Sequence, residues 1–239
     1  MSAPLRIGMI VPSSNTCLEP QTYRILGDRT DVTVHFTRIE VTRIALDDGA
    51  DAQFDEAVMV AAARLLATAK VDVIAWNGTS GSWLGIAHDR EIVDAIAAAT
   101  GIPATTSSLA MLDALARCGA TEIGLVTPYT EDVNLGVARE YAAHGIEVIA
   151  QRHLGLSDNE SFARVSPEEL APLVQETFAA GARATAVLCT NLYGAPVVSD
   201  AETGSDACVL DSVAVTLWRC LELIGAAGLD ARWGRALMA

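Results

Sequence analysis

The chain echoes itself. Arg6-Ile7-Gly8-Met9-Ile10-Val11-Pro12 returns as Glu122-Ile123-Gly124-Leu125-Val126-Thr127-Pro128, and Val73-Ile74-Ala75-Trp76-Asn77-Gly78-Thr79 returns as Ala186-Val187-Leu188-Cys189-Thr190-Asn191. Each copy is an apolar run that ends in proline or in small polar residues. Between these runs, Val- and Ile-rich segments alternate with Ala-rich ones, the pattern of βαβ units and a parallel sheet. The runs predict strands at 5–11, 32–38, 71–77, 103–106, 122–127, 146–151, 184–189 and 207–210. Helical spacing predicts helices at 51–69, 89–100, 107–118, 131–144, 166–180 and 212–226. The expected fold is therefore α/β, with two pseudo-symmetric parallel-sheet halves and the active site between them. The N-terminal half would cover 1–115, joined by the C-terminal helix at 212–239, and the C-terminal half 116–211.

Composition agrees with that architecture. Hydrophobic residues make up 51% of the chain and aromatics only 5%, so the core must be built mainly from Ala, Val, Leu and Ile, as in a helix-covered sheet. A net charge of −14 repels phosphate backbones and anionic membranes, which argues against nucleic acid and membrane partners. A small anion remains possible, because backbone N–H groups and helix N-termini bind one locally. The five cysteines, at 17, 118, 189, 208 and 220, include no Cys-x-x-Cys pair. Neither a zinc site nor a disulfide framework is expected, and reduced thiols in a cytoplasmic protein fit best. The N-terminus lacks the pattern of a signal peptide. No apolar stretch approaches the ~18 residues of a membrane span, although the mean hydropathy is +0.32. Ala-rich helices leave room for a homo-oligomer.

Four strand ends carry the polar loops, two from each half, and ligands of open α/β sheets bind beyond the carboxyl ends of strands. Val11-Pro12-Ser13-Ser14-Asn15-Thr16 follows the first strand and opens a helix, so free N–H groups at a positive helix end could bind an anion. Capping of that helix by Ser14 or Asn15 competes with this reading. Asn77-Gly78-Thr79-Ser80-Gly81-Ser82-Trp83 combines glycines with the donors Thr79 and Ser80, as half an oxyanion hole would. Cys189, followed by Thr190 and Asn191, is either a small buried hydrophobe or a thiol facing the cleft. Tyr129 could place a phenol at the same cleft, and Asn159 and Phe162 could reach over it from a loop. The other four cysteines are expected to pack. His35, His88, His144 and His153 form no triad with an acid and a nucleophile, and there is no Walker A or G-x-G-x-x-G loop.

Taken together, Ile10-Val11-Pro12-Ser13-Ser14-Asn15-Thr16, Gly78-Thr79-Ser80, Pro128-Tyr129 with Asp132-Val133-Asn134, Asn159 with Ala163-Arg164-Val165, and Cys189-Thr190-Asn191 resemble one family. It is the arylmalonate decarboxylase and maleate cis-trans isomerase branch of the aspartate/glutamate racemase superfamily, and the likeness runs over nearly the whole chain. The resemblance implies a cofactor-independent enzyme without a metal that acts on a small carboxylate or dicarboxylate. In the racemases and isomerases of the superfamily, two cysteines face each other across the substrate. Cys189 matches the second, but Gly78 stands at the position of the first, as in arylmalonate decarboxylases.

The resemblance therefore implies decarboxylation of a substituted malonate-type diacid. The enediolate would be held by Thr79, Ser80, Tyr129 and N–H groups after Gly78 and Cys189, and protonated by Cys189. Val41, Ile44 and Phe162 match the apolar lining around the departing carboxylate. Asn15 and Asn159 instead match the isomerase pattern of carboxylate binding, with Thr190 beside them. The alternatives are a cis-trans isomerase using Cys189 alone and a non-catalytic carboxylate-binding protein.

Overall fold

The computed structural model describes residues 3–44 and 52–238. The elements run β1 (Leu5–Pro12), α1 (Leu18–Leu26), β2 (Val32–Ile39), α2 (Glu56–Thr68), β3 (Val73–Trp76), α3 (Gly81–Leu84), α4 (Ile86–Thr100), β4 (Ala104–Thr106) and α5 (Ser107–Arg117). They continue with β5 (Glu122–Thr127), α6 (Glu131–Ala143), β6 (Glu147–His153), α7 (Asn159–Phe162), α8 (Pro167–Ala179), β7 (Ala184–Val187), α9 (Ala195–Glu202), β8 (Cys208–Asp211) and α10 (Ser212–Leu223). All eight expected strands are present, their ends shifted by at most two residues.

The helices differ more. The segment expected to be helical from 51 has its first residue outside the described ones. It opens with a 3-10 turn at Ala52–Phe54, and the α-helix begins at Glu56. Helix α4 starts at Ile86, three residues before the expected 89. Phe162 and Asn159, expected on a loop, lie in the short helix α7, which Asp158 caps by accepting the Ser161 N–H at 3.0 Å. Helices α3 and α9 were not anticipated.

Two four-stranded parallel sheets result, in strand orders β2-β1-β3-β4 and β6-β5-β7-β8. The sequence echo is thus a repeat of topology, since each half places its strands in the same order. Strands β3, β7 and β8 are buried at every residue, as strands with helices on both faces must be. In each sheet the chain leaves the first strand towards one edge and later builds towards the other, so a switch point falls between β1 and β3 and between β5 and β7. Loops at such points splay apart and leave a crevice.

Local signals set the helix starts. Thr106 caps α5 by accepting the Leu109 N–H at 3.1 Å, Ser166 and Glu169 form a capping box on α8 with Pro167 in the first turn, and Asp211 caps α10 by accepting the Ala214 N–H at 2.9 Å. Such caps each stabilise a helix by about 1 kcal/mol. Helix α10 follows the second sheet, yet packs on α1, α5, β3 and β4 of the first as well as on β8. One continuous apolar cluster joins Ile7, Val73 and Ala110 to Leu125, Ala186, Leu210 and Leu217.

Candidate active site between the two sheets

The loops after β1, β3, β5 and β7 meet. Among them, the Thr79 hydroxyl, after β3, is hydrogen-bonded to the Tyr129 hydroxyl, after β5, at 2.7 Å. The Tyr129 hydroxyl in turn lies close enough to the Cys189 sulfur, after β7, to influence its protonation. A chain of polar atoms therefore crosses from one sheet to the other through the three residues singled out as thiol, phenol and oxyanion donor. The sulfur of Cys189 accepts the Asn191 N–H at 3.3 Å.

These groups are out of water: Cys189 is 3% exposed and Tyr129 2%. Burial pushes the Cys189 thiol up to about 12, against the lowering effect of the Tyr129 hydroxyl and the Asn191 N–H, and nearby Asp211 raises it further. Burial likewise holds the Tyr129 phenol well above its ordinary value. Near neutral pH both are protonated, so the site presents a thiol and a phenol as hydrogen donors. Ser80 is buried beside them and accepts the Trp76 indole N–H at 3.1 Å, which leaves its own hydroxyl proton free to donate. Among the described residues, the backbone N–H groups of Thr79, Ser80 and Thr190 have no acceptor. Buried N–H groups are otherwise almost always paired, so these three are suited to an oxyanion.

In the loop after β1, capping prevails of the two expected readings. Its helix-end N–H groups are not free: the Asn15 side-chain oxygen accepts those of Cys17 at 3.1 Å and Leu18 at 2.9 Å, while the Asn191 oxygen accepts those of Thr16 and Cys17 at 3.1 Å. Capping wins there because two amide oxygens, one from each half, reach the same helix end. Donors remain on side chains of this loop and its neighbours. The Asn15 amide donates to the Thr190 hydroxyl at 3.2 Å, and Thr190 donates to the Asn77 carbonyl at 3.2 Å. The Asn159 amide donates to Ser14 at 2.8 Å, and Ser14 donates to the Val41 carbonyl at 2.5 Å. Each amide keeps a second N–H.

Val41, Ile44 and Phe162 are buried in one apolar cluster with Cys189, Tyr129 and Trp76. Phe162 packs edge-on against Tyr129 at 5.6 Å between centroids, and Trp83 packs against the same ring at 5.2 Å. All eleven expected residues, including Gly78, thus lie on the loops and walls around one place. Sequence reasoning did not single out Asn191, which ties α1 to the β7 loop, nor Trp76 and Trp83. Asn191 sits in a quoted motif, but its bonding partners lie far away along the chain. Cys17, expected to pack, donates its thiol to the Leu192 carbonyl at 3.1 Å, close enough for Cys189 and Asp211 to raise its pKa after burial has done so.

Among the described residues no group of three or more His, Cys, Asp or Glu side chains could hold a metal, and no helix is long and apolar enough to cross a membrane. The family model described as arylmalonate decarboxylase matches residues 7–237. The chain is 29% identical to the arylmalonate decarboxylase of Bordetella bronchiseptica over 231 residues, covering 95% of this chain and 93% of that one. It is 26% identical to a maleate isomerase of Pseudomonas putida over 238 residues, covering 94% and 93%. The fold is also that of the crystal structure of the maleate isomerase Iso from Pseudomonas putida S16, with a TM-score of 0.89 over 98% of each chain at 22% identity.

Proposed function

The chain belongs to the arylmalonate decarboxylase family, and on that premise we propose that it is a cofactor-independent carboxy-lyase acting on a substituted malonate-type diacid. One carboxylate leaves as CO₂, and the electron pair of the broken C–C bond passes into the remaining carboxylate to give an enediolate. Cys189 gives its proton to the α-carbon. The thiolate left behind is reprotonated by water, as a thiol with a pKa of about 12 readily is.

The observation that carries the reading is the placement of Cys189: buried where the protonated thiol is favoured, beside the Tyr129 hydroxyl, and adjacent to a loop with glycine at position 78. A single proton donor suits protonation of one face of an enediolate and gives one enantiomer. Thr79, Ser80 and Tyr129, with the N–H groups of Thr79, Ser80 and Thr190, hold the developing negative charge, each such donor contributing about 3–4 kcal/mol. The apolar wall of Val41, Ile44 and Phe162 faces the departing carboxylate and favours its loss as neutral CO₂.

Incubation with phenylmalonate, methylmalonate derivatives, maleate and aspartate in D₂O, followed by NMR, tests this. Deuterium at the α-carbon of a monocarboxylate is the expected result. Cys189→Ala should abolish product formation, and full activity in that variant would exclude the proposed acid.

Asn15 and Asn159 favour a second reading, cis-trans isomerisation of a maleate-like diacid with Cys189 as nucleophile, because amides retain both carboxylates rather than expel one. Trapping with maleate would then give a covalent adduct on Cys189 by mass spectrometry. Turnover of a malonate without any adduct favours the lyase.

A further inference from the structure

We propose that Trp76 sets how many thiols this site can carry. Its indole lies across the space that a side chain at position 78 would need, so the residue on the loop facing Cys189 stays glycine for as long as position 76 is tryptophan.

The backbone does not require glycine there. Ten glycines among the described residues have positive φ, and Gly78 is not among them. Space does require it. A Cβ built on Gly78 would lie 2.2 Å from Cζ2, 2.5 Å from Cε2 and 2.9 Å from Cη2 of Trp76, all inside the closest approach that carbon atoms tolerate. A contact of this kind is cheap only where the neighbour can step aside, and Trp76 is held on every side. It is fully buried in the last position of β3, paired with Ile10 on one strand and Thr106 on the other. Its N–H is committed to the Ser80 hydroxyl at 3.1 Å, and its ring packs against Phe54 at 6.1 Å between centroids. Swinging the indole away would abandon that hydrogen bond and open a cavity in a close-packed core. The single-thiol character of the site is therefore enforced by packing.

The inference deepens the reading of Cys189 as the sole proton donor and rests on it for its catalytic meaning, but its steric content can be measured without any substrate. The test is a double-mutant cycle of Gly78→Ala and Trp76→Leu followed by thermal unfolding. Gly78→Ala should lower Tm by roughly 2–12 °C when Trp76 is present, the range expected of overpacking in a chain this size, and by far less in the Trp76→Leu background. Equal effects in the two backgrounds would overturn the proposal.

A second arm carries the chemistry. Trp76→Leu combined with Gly78→Cys should place a second thiol opposite Cys189, so that the product loses enantiomeric purity and exchanges its α-hydrogen with D₂O. Gly78→Cys alone should be destabilised like the alanine variant. A stable Gly78→Cys protein with wild-type Tm would sink the idea. Coupling in Tm with no decarboxylation by any variant, wild type included, would leave the steric inference standing and remove the lyase reading alone.

Discussion

At the scale of residues, the site is a problem in keeping protons. A free thiol near 8.5 would begin to lose its proton at mildly alkaline pH, whereas Cys189 is pushed up to about 12 by burial. If it is the acid, kcat for the productive diacid should stay level from pH 7 to about 10, and a descending limb near 8.5 would show that another group donates. Tyr129 bears on the same question from the other side. Tyr129→Phe removes the hydroxyl that bonds Thr79 and lies beside the Cys189 sulfur while keeping the ring that packs on Trp83 and Phe162. The expected outcome is a fall in kcat/KM of roughly 10²–10³, with Tm lowered by only a few degrees. A loss confined to KM would place the phenol in substrate binding alone. Cys189, Tyr129 and Thr79 were legible in the sequence because each follows an apolar strand at a place where only loops are polar. Trp76 was not, since a tryptophan within such a strand reads as core, and its closeness to Gly78 depends on a ring orientation that no pattern of residue types encodes.

Among the elements, the loop that carries Thr79 and Ser80 runs into α3 and rests on a buried carboxylate. Asp89, in the first turn of α4, lies so close beneath Gly81 that a Cβ there would meet its Cγ at 2.2 Å. Burial pushes Asp89 up to about 6, against hydrogen bonds from Thr106 and Ser108, while the unfolded value is near 3.9. The folded state thus binds the proton more tightly. Stability from this group is fully present below pH 4 and is lost as pH rises through about 6, by on the order of 3 kcal/mol. Asp89→Asn removes that dependence. In urea titrations at pH 4, 5.5 and 7.5, the variant should gain on the wild type as pH rises, and a constant difference would refute the assignment. The α3 turn itself escaped prediction for a related reason: helices α3 and α7, of four residues each, are too short to show a helical period. Strands such as β3 were readable because a buried parallel strand is apolar along its length. At the start of α1, capping by Asn15 could be read from its place before the helix, whereas the share taken by the Asn191 oxygen could not be foreseen, because that residue belongs to the other half of the molecule.

For the whole molecule, the repeat in the sequence suggests two units, 1–115 and 116–211, yet the packing argues that they unfold as one. Both apolar clusters draw on both halves: Ile7 and Val73 share one with Leu125 and Leu210, while Ile10 and Trp76 share the other with Val126 and Cys189. Helix α10 reinforces the union, for it leaves β8 of the second sheet and lays Val213, Leu217 and Leu221 into the first cluster. Neither half can expose its share of these clusters without leaving the other half's apolar surface in water, at about 25 cal/mol for each Å² uncovered. We therefore expect one calorimetric transition with matching van't Hoff and calorimetric enthalpies, despite two sheets of the same topology. Leu217→Ala should destabilise by about 2–5 kcal/mol and shift that single transition to lower temperature without splitting it. Two resolved transitions in the variant would mean that α10 merely bridges independent domains. The loops around Cys189 would then be free to move apart with the domains, whereas a single transition keeps the thiol and the Gly78 loop in one cooperative body, at the fixed separation that the proposed proton transfer requires.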